Sequence, residues 1–348
     1  MIRAGVGRSE QRTTSQAVEE AARQAMTHAG ISRADLAMIF FTANHASQPR
    51  ELVSSLMRTV GTDCVVGSSF GDFLAKTDDK SSLMILLPDT YNGNPQPLLT
   101  SMAVRAGFHP VIGAGSTEDG AAGATYQLCG DKIATNSIAG AYLSGGFSAR
   151  IDITQGCQPI SEPMVITKAE GNLIHEIDGR PAIEVFARLL KGPLAEDIRR
   201  ALMVLFVGLP ADRQENSVRA GKYLVRNIIG LDPQKGILGI ADQVNEGDAM
   251  IFAMRDGQRA REDLDQMLAR QREAVQQKKP AFGLYFNCCA RGSSLYGIPG
   301  IDSAYIRRAL GDIPLIGMFG GYELAPLGRA NHLFAYTGVL ALITEGDA

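Results

Sequence analysis

Apolar positions along this chain follow two rhythms, and the switches between them mark its elements. Ala17, Val18, Ala21, Ala22, Ala25 and Met26 share one helical stripe ahead of Gly30, and Leu52, Val53, Leu56 and Met57 do the same ahead of Gly61. These spacings predict helices over 15–29 and 50–60. Unbroken apolar runs of strand length occupy 36–43, 83–87, 282–288 and 333–343. A further helix is predicted over 261–277, and a short one opening near Asp302 carries Tyr305, Ile306, Ala309 and Leu310 before Gly311. Helix and strand alternating in this way predict an α/β (α+β) fold in which helices cover sheets.

The middle of the chain reads differently. From 98 to 170, short alternating segments separated by Gly and Pro predict an antiparallel layer. A helix is expected to open at Pro181 and close at Gly192, followed by a buried strand at 202–207. Three runs at 223–229, 236–240 and 249–254 read as an antiparallel meander. A boundary near residue 215 divides the chain into domains at 1–215 and 216–348.

The C-terminal third re-uses an earlier plan. The strand 36–44, the turn Cys64-Val-Val-Gly-Ser-Ser-Phe-Gly-Asp72 and the strand 83–87 are matched in order by 282–289, by Ile313-Pro-Leu-Ile-Gly-Met-Phe-Gly-Gly-Tyr-Glu323, and by 333–343. A third turn of this kind is Pro110-Val-Ile-Gly-Ala-Gly-Ser-Thr-Glu-Asp-Gly120. Divergent duplication of an α/β unit accounts for these strand-glycine turns, and two such units are expected to pack about a pseudo-two-fold axis.

Composition narrows the function classes. With 348 residues, 45% hydrophobic and 20% charged, the chain has the makings of a large core. A net charge of −3 with no basic stripe argues against nucleic acid. The N-terminal residues lack the apolar segment of a signal peptide, and the run at 333–343 is far short of the roughly 20 residues that cross a bilayer. Five cysteines without Cys-x-x-Cys spacing argue against a disulfide framework or a metal site and point to a reducing cytoplasm.

Several segments together resemble the FIST sensory-domain family. They are Val66–Asp72, Val165–Asn172, Ile177–Ala182 and Tyr223–Ile228 in the N-terminal part, and Phe286–Gly292, Ile313–Gly317, Phe319–Pro326 and His332–Thr337 in the C-terminal part. The resemblance implies a cytoplasmic bacterial signal-transduction module that binds a small ligand, amino acids and their derivatives among those proposed. It also implies a separate signalling partner such as a kinase or cyclase, since no output domain is fused here, and a homo-oligomer is compatible with it. Two departures stand out: Tyr322 replaces the second glycine of a Gly-x-Gly-Glu turn, and Asp72 sits in a shortened loop.

Arg291, just beyond a strand, has the planar fork that grips a carboxylate, and Glu323 follows the Gly320-Gly321 turn, so the two would match a zwitterion. Tyr322 and Cys288 accompany them, and Ser68, Ser69 and Asp72 take the corresponding place in the N-terminal unit. An Arg291–Glu323 pair locking the two turns together is the structural alternative. Two functional alternatives stay open. One is a cysteine-dependent enzyme in which Cys288 or Cys289 is activated by His332, although strand geometry would send adjacent cysteines to opposite faces. The other, taken from the resemblance, is a haem-binding nitric-oxide or redox sensor with His28, His45, His109, His175, His332, Tyr322 or Cys157 as axial ligand. Binding without turnover and without a cofactor is the reading favoured over both.

Overall fold

The computed structural model describes residues 1–45, 47–62, 81–91, 95–118, 123–212, 216–218, 221, 223–275 and 278–346. Ser68, Ser69 and Asp72 lie outside the described residues. The N-terminal part contributes β1 (Ser82–Pro88), β2 (Val111–Ser116), the small pair β3 (Gln127–Cys129) and β4 (Lys132–Ala134), then β5 (Ile138–Ser144) and β6 (Phe147–Gln155). Next come β7 (Cys157–Pro159), β8 (Met164–Glu170), β9 (Leu173–Ile177) and β10 (Arg180–Pro181). After three short helices follow β11 (Leu205–Pro210), β12 (Tyr223–Asp232), β13 (Ile237–Ile240) and β14 (Ala249–Arg255). The last third adds β15 (Phe282–Cys288), β16 (Leu315–Leu327), β17 (Ala330–Phe334) and β18 (Thr337–Glu345).

One mixed sheet runs β5-β1-β2-β16-β15-β18-β6, with β17 on β16, and so draws strands from both ends of the chain. Its centre is pseudo-symmetric. β1 and β2 are parallel and joined through the helix Gln96–Ala106, while β15 and β16 are parallel and joined through the helix Ile301–Leu310. β5 and β18 flank these units antiparallel, and β2 meets β16 antiparallel across the axis. The backbone repeats in detail: Met84 N–H donates to the Pro110 carbonyl at 2.9 Å, and Gly283 N–H donates to the Pro314 carbonyl at 2.8 Å. Gly113 and Gly317 then occupy equivalent places, where a Cβ would stand 1.8 Å from the Leu86 carbonyl oxygen and 1.7 Å from that of Tyr285.

The duplication is thus offset by one unit from the alignment read in the sequence. β1 and the 110–120 turn are the counterparts of β15 and the 313–323 turn, whereas 36–41 joins no sheet among the described residues. Two apolar runs of strand length carry the same signal, and only pairing tells them apart. Helix formation revises two further segments. Gln96–Ala106 is helical inside the expected antiparallel layer, opened by Pro95. The apolar run at 202–207 is split, because Asp197 caps a helix Ile198–Val204 by accepting from Arg200 N–H at 3.1 Å, and β11 begins only at Leu205. The helices Thr14–Ala29, Pro49–Val60 and Gly257–Ala274 stand close to where they were expected.

A second sheet closes on itself. β8, β9, β13, β12, β11 and β14 form a ring of antiparallel pairs, with β14 returning to β8. Closure removes the exposed edges that a sheet would otherwise present. Ile166, Ile174, Val207, Leu238 and Phe252 are fully buried in its core. The boundary expected near residue 215 falls between β11 and β12, which are hydrogen-bonded neighbours in this barrel.

Candidate functional site

β16 is long enough to pair twice. Its first half lies beside β15, with Cys288 opposite Gly320, and its second half lies beside β2, with Ser116 also opposite Gly320. The register slips between Gly320 and Glu323, and Asp89, at the end of β1, bridges to Ser116. The carboxyl ends of β1, β2 and β15 therefore converge on one residue. Such switch points, just beyond carboxyl strand ends, are where open α/β sheets form crevices for ligands. Glycine is required there: a Cβ on Gly320 would stand 2.5 Å from the Ala114 Cβ, and one on Gly321 2.7 Å from Thr90 Cγ2. Tyr322 lays its ring over Gly115, where a Cβ would be 2.7 Å from the ring.

Arg291 lies behind this junction, 1% exposed. Its Nε donates to Asp302 Oδ2 and its Nη2 to Asp302 Oδ1, both at 3.3 Å, and Nη2 also donates to the Tyr296 hydroxyl at 2.7 Å. Asn287 Nδ2 and the Tyr285 hydroxyl donate to Asp302 Oδ2 at 2.7 and 3.0 Å. Burial works to raise the Asp302 carboxyl, but the adjacent guanidinium and these hydrogen bonds outweigh it and hold the group below the usual carboxylate range. The fork of Arg291 is thus occupied within the chain. Only Nη1 is left without an acceptor.

Glu323 is fully buried and forms no ion pair with Arg291. Its Oε2 accepts from Thr337 N–H at 3.2 Å and Thr337 Oγ1 at 2.7 Å, while Oε1 has no partner. Burial pushes the carboxyl up to about 8, against the opposing pull of the Thr337 hydrogen bonds and the charge of Arg291. The interlocking Arg291–Glu323 pair considered from the sequence is replaced by Arg291–Asp302. Asp302 carries no motif of its own; its signal was an acidic residue in the first turn of a helix, and that position was read only as a helix start.

The cysteines do not meet His332. That histidine lies on β17 opposite Ala325, and its neighbours in charge are Arg226 and Asp212. Burial lowers its pKa. Cys288 stands buried opposite Gly320, and Cys289 follows it, exposed. Cys157 is fully buried, and burial pushes its thiol far up.

Two cavities open on β16. One of about 500 Å³ is lined by apolar residues of 36–41 and of the helix Pro49–Val60, by Met318 and Phe319, and by Ser116, Thr117 and Glu118 at a polar end. Its described wall holds no histidine, cysteine, arginine or lysine, so it supplies no cations for the propionates of a haem, while Met38, Met57, Met318 and Tyr126 line it. The other cavity, about 1050 Å³, separates the mixed sheet from the barrel. Gly321, Tyr322 and His332 face Arg226, Asn227 and Asp242 across it, and Arg329 and Asp212 also line it. Arg226 Nε donates to Asp242 Oδ2 at 2.7 Å and Nη1 to the Leu333 carbonyl at 3.4 Å, tying β12 of the barrel to β17 of the sheet. Of the residues singled out in the sequence, Gly321, Tyr322 and His332 line this cleft, whereas Gly320, Cys288, Arg291 and Glu323 are buried and not in its lining. Arg226 went unremarked as a site residue because an Arg on a strand carries no pattern.

A family model described as the FIST N domain matches residues 2–180, and one described as the FIST C domain matches residues 182–326. The chain is 31% identical over 265 residues to an uncharacterized protein of Mycobacterium tuberculosis strain H37Rv, Rv0628c, covering 76% of this chain and 68% of that protein. It is 31% identical over 266 residues, with the same coverage of each, to an uncharacterized protein of Mycobacterium bovis, Mb0898c. No helix among the described residues is long and apolar enough to cross a membrane.

Proposed function

The chain belongs to the FIST family of signal-transduction sensory domains, with its N and C domains side by side, and on that footing we propose that it binds an amino acid or other small carboxylate in the cleft between sheet and barrel. The observation that carries this reading is the meeting of opposite charges around the glycine turn of β16. Arg226 and Arg329 bring guanidinium groups to the cleft and Asp212 and Asp242 bring carboxylates, Arg226 and Asp242 being paired with each other, and Gly321 leaves backbone on one wall. Tyr322 narrows the same wall and adds a hydroxyl. Arg291 and Glu323 support the turn from behind, with Nη1 and Oε1 as the open polar atoms of that second layer.

A ligand in this position bears on both halves at once, because Arg226 already joins β12 to β17. Drawing Arg226 toward a carboxylate biases the sheet–barrel contact, which is the two-state element that a sensor needs. The altered surface would then be read by a separate signalling protein such as a kinase or cyclase, or by a second copy of the chain in the cytoplasm.

Native mass spectrometry of the protein as purified, followed by calorimetric titration with the twenty common amino acids and small dicarboxylates, tests the proposal. A retained small acid, or micromolar binding that Arg329→Ala weakens about tenfold, is the expected result. Binding unchanged in folded Arg329→Ala and Arg226→Lys variants would overturn the placement in this cleft.

A further inference from the structure

The cavity of about 500 Å³ shares β16 with the cleft but none of the cleft's lining residues, and the duplication shows why it is open. Its floor is β1 and β5, where Ile85 stands opposite Ala141 and Leu87 opposite Ala139. Cross-strand partners share one face of a sheet. In the other unit the equivalent strands are β15 and β18, because Leu86 pairs with Gly113 as Tyr285 pairs with Gly317. There Leu284 stands opposite Ala341 and Phe286 opposite Val339. All four are fully buried, and Phe40 meets Phe286 edge-on with ring centroids 6.4 Å apart. Leu87 in place of Phe286 and Ala139 in place of Val339 are both smaller, so one unit leaves room where its counterpart is packed shut. Well-packed interiors do not keep voids of this size without cost, and roughly 300–1,000 Å³ is the range of small-molecule sites.

The wall has a chemical direction. Met38, Met57 and Met318, whose side chains adapt to apolar shapes, line it together with Phe40 and Phe41. Polar groups gather at Ser116, Thr117, Glu118 and Tyr126. This end is held in place by bonds within the chain. Thr90 Oγ1 donates to the Ser116 carbonyl at 2.5 Å, and the Tyr91 hydroxyl and Gly123 N–H donate to Glu118 Oε1. Beside them Thr125 Oγ1 donates to Asp89 Oδ1 at 2.7 Å and accepts from Gln127 Nε2 at 2.8 Å. Glu118 is the one charged side chain in the described wall. An anionic head would face that carboxylate with no described cation to offset it, whereas a hydrogen-bond donor would be matched by it.

We propose that this cavity is a second ligand site, for a small amphiphile with an apolar body and an uncharged or cationic head that donates a hydrogen bond to Glu118. The apolar body lies over Leu87 and Ala139, in the space that Phe286 and Val339 fill in the other unit. The chemistry is the reverse of the small carboxylate proposed for the cleft, so the two sites do not compete for one ligand. Met318 and Phe319 line the cavity, and Gly321 and Tyr322, on the same strand, line the cleft. An occupant therefore bears on a strand that also walls the cleft.

The test is calorimetric titration of the full chain with octanol, octylamine and octanoate, which share one body and differ in the head. At neutral pH octanol and octylamine are expected to bind at least about tenfold more tightly than octanoate, because like charges oppose each other at Glu118. Glu118→Gln should bring octylamine and octanoate within about threefold of each other. The double variant Leu87→Phe/Ala139→Val, checked for folding by circular dichroism, gives the floor the side chains of the other unit and should weaken octanol binding by about tenfold or more. Octanol that fails to bind the wild type below its solubility limit, or that binds the folded double variant as tightly as the wild type, overturns the site. Octanoate binding as tightly as octylamine overturns the assignment of the head. None of these readouts depends on the cleft, so a failure here is distinct from a failure of the carboxylate reading.

Discussion

Arg291 and Asp302, eleven residues apart in sequence, close a buried two-point ion pair at 3.3 Å beneath the strand junction. The pair ties the loop after β15 to the crossover helix Ile301–Leu310, and Tyr285, Asn287 and Tyr296 complete its hydrogen bonds. Removing one partner leaves an uncompensated charge in the core. Asp302→Ala is expected to cost about 3–5 kcal/mol of unfolding free energy, measured by urea denaturation. A loss below about 1 kcal/mol would mean that water reaches the guanidinium in the variant.

Glu323 gives stability an unusual pH dependence. Its folded-state pKa, about 8, lies above the unfolded value near 4.5, so the folded protein holds a proton that the unfolded chain releases. The contribution is fully present below about pH 4.5 and is lost as pH rises toward 8, at about 1.4 kcal/mol per pH unit. Glu323→Gln, which stays neutral, should flatten that part of the curve. Equal slopes for wild type and variant in denaturation between pH 5 and 8 would count against a protonated Glu323.

Gly113 and Gly317 offer a symmetric pair of variants. An added Cβ meets a backbone carbonyl oxygen at 1.8 or 1.7 Å, which rotamer changes cannot relieve. Gly113→Ala and Gly317→Ala should each destabilise by about 3 kcal/mol or more, read as a drop in melting temperature. If either is tolerated, the two parallel strand pairs can separate locally without loss of the sheet.

Arg226 carries one direct link between barrel and sheet, alongside Gln155, whose Nε2 donates to the Tyr223 carbonyl at 3.2 Å. Arg226→Lys should keep the charge facing Asp242 but lose the bond to the Leu333 carbonyl, since one ammonium cannot reproduce the fork. Hydrogen exchange is expected to rise in β12 and β17, with stability down by about 1 kcal/mol. Exchange that rises elsewhere, or nowhere, would show that other contacts hold the halves together.

Much of the architecture was legible in periodicity. The helices ending at Gly30 and Gly61 and the strand 282–288 announce themselves by stripes, caps and apolar runs, whereas the single run at 333–343 is broken at Tyr336, φ +63°, into the end of β17 and most of β18. The offset of the repeat was not, because the run at 36–43 has the same pattern as the one at 83–87, and hydrophobicity does not encode a hydrogen-bonding partner. The site was legible in part. Glycines 320 and 321 stood out because a close approach of chains forbids side chains, yet the partner of Arg291 and the cleft residue Arg226 depend on strands far apart in sequence.

The sequence by itself determined many of the local elements, the existence of a duplication and the family, since each rests on residue spacing along a short stretch or on ordered motifs. Only the tertiary structure decided that both halves share one sheet, that a six-strand ring closes across the expected boundary, and that Asp302 neutralises Arg291. Those outcomes turn on which backbone groups find each other and which charges lose water, quantities set by three-dimensional neighbours and not by the order of residues.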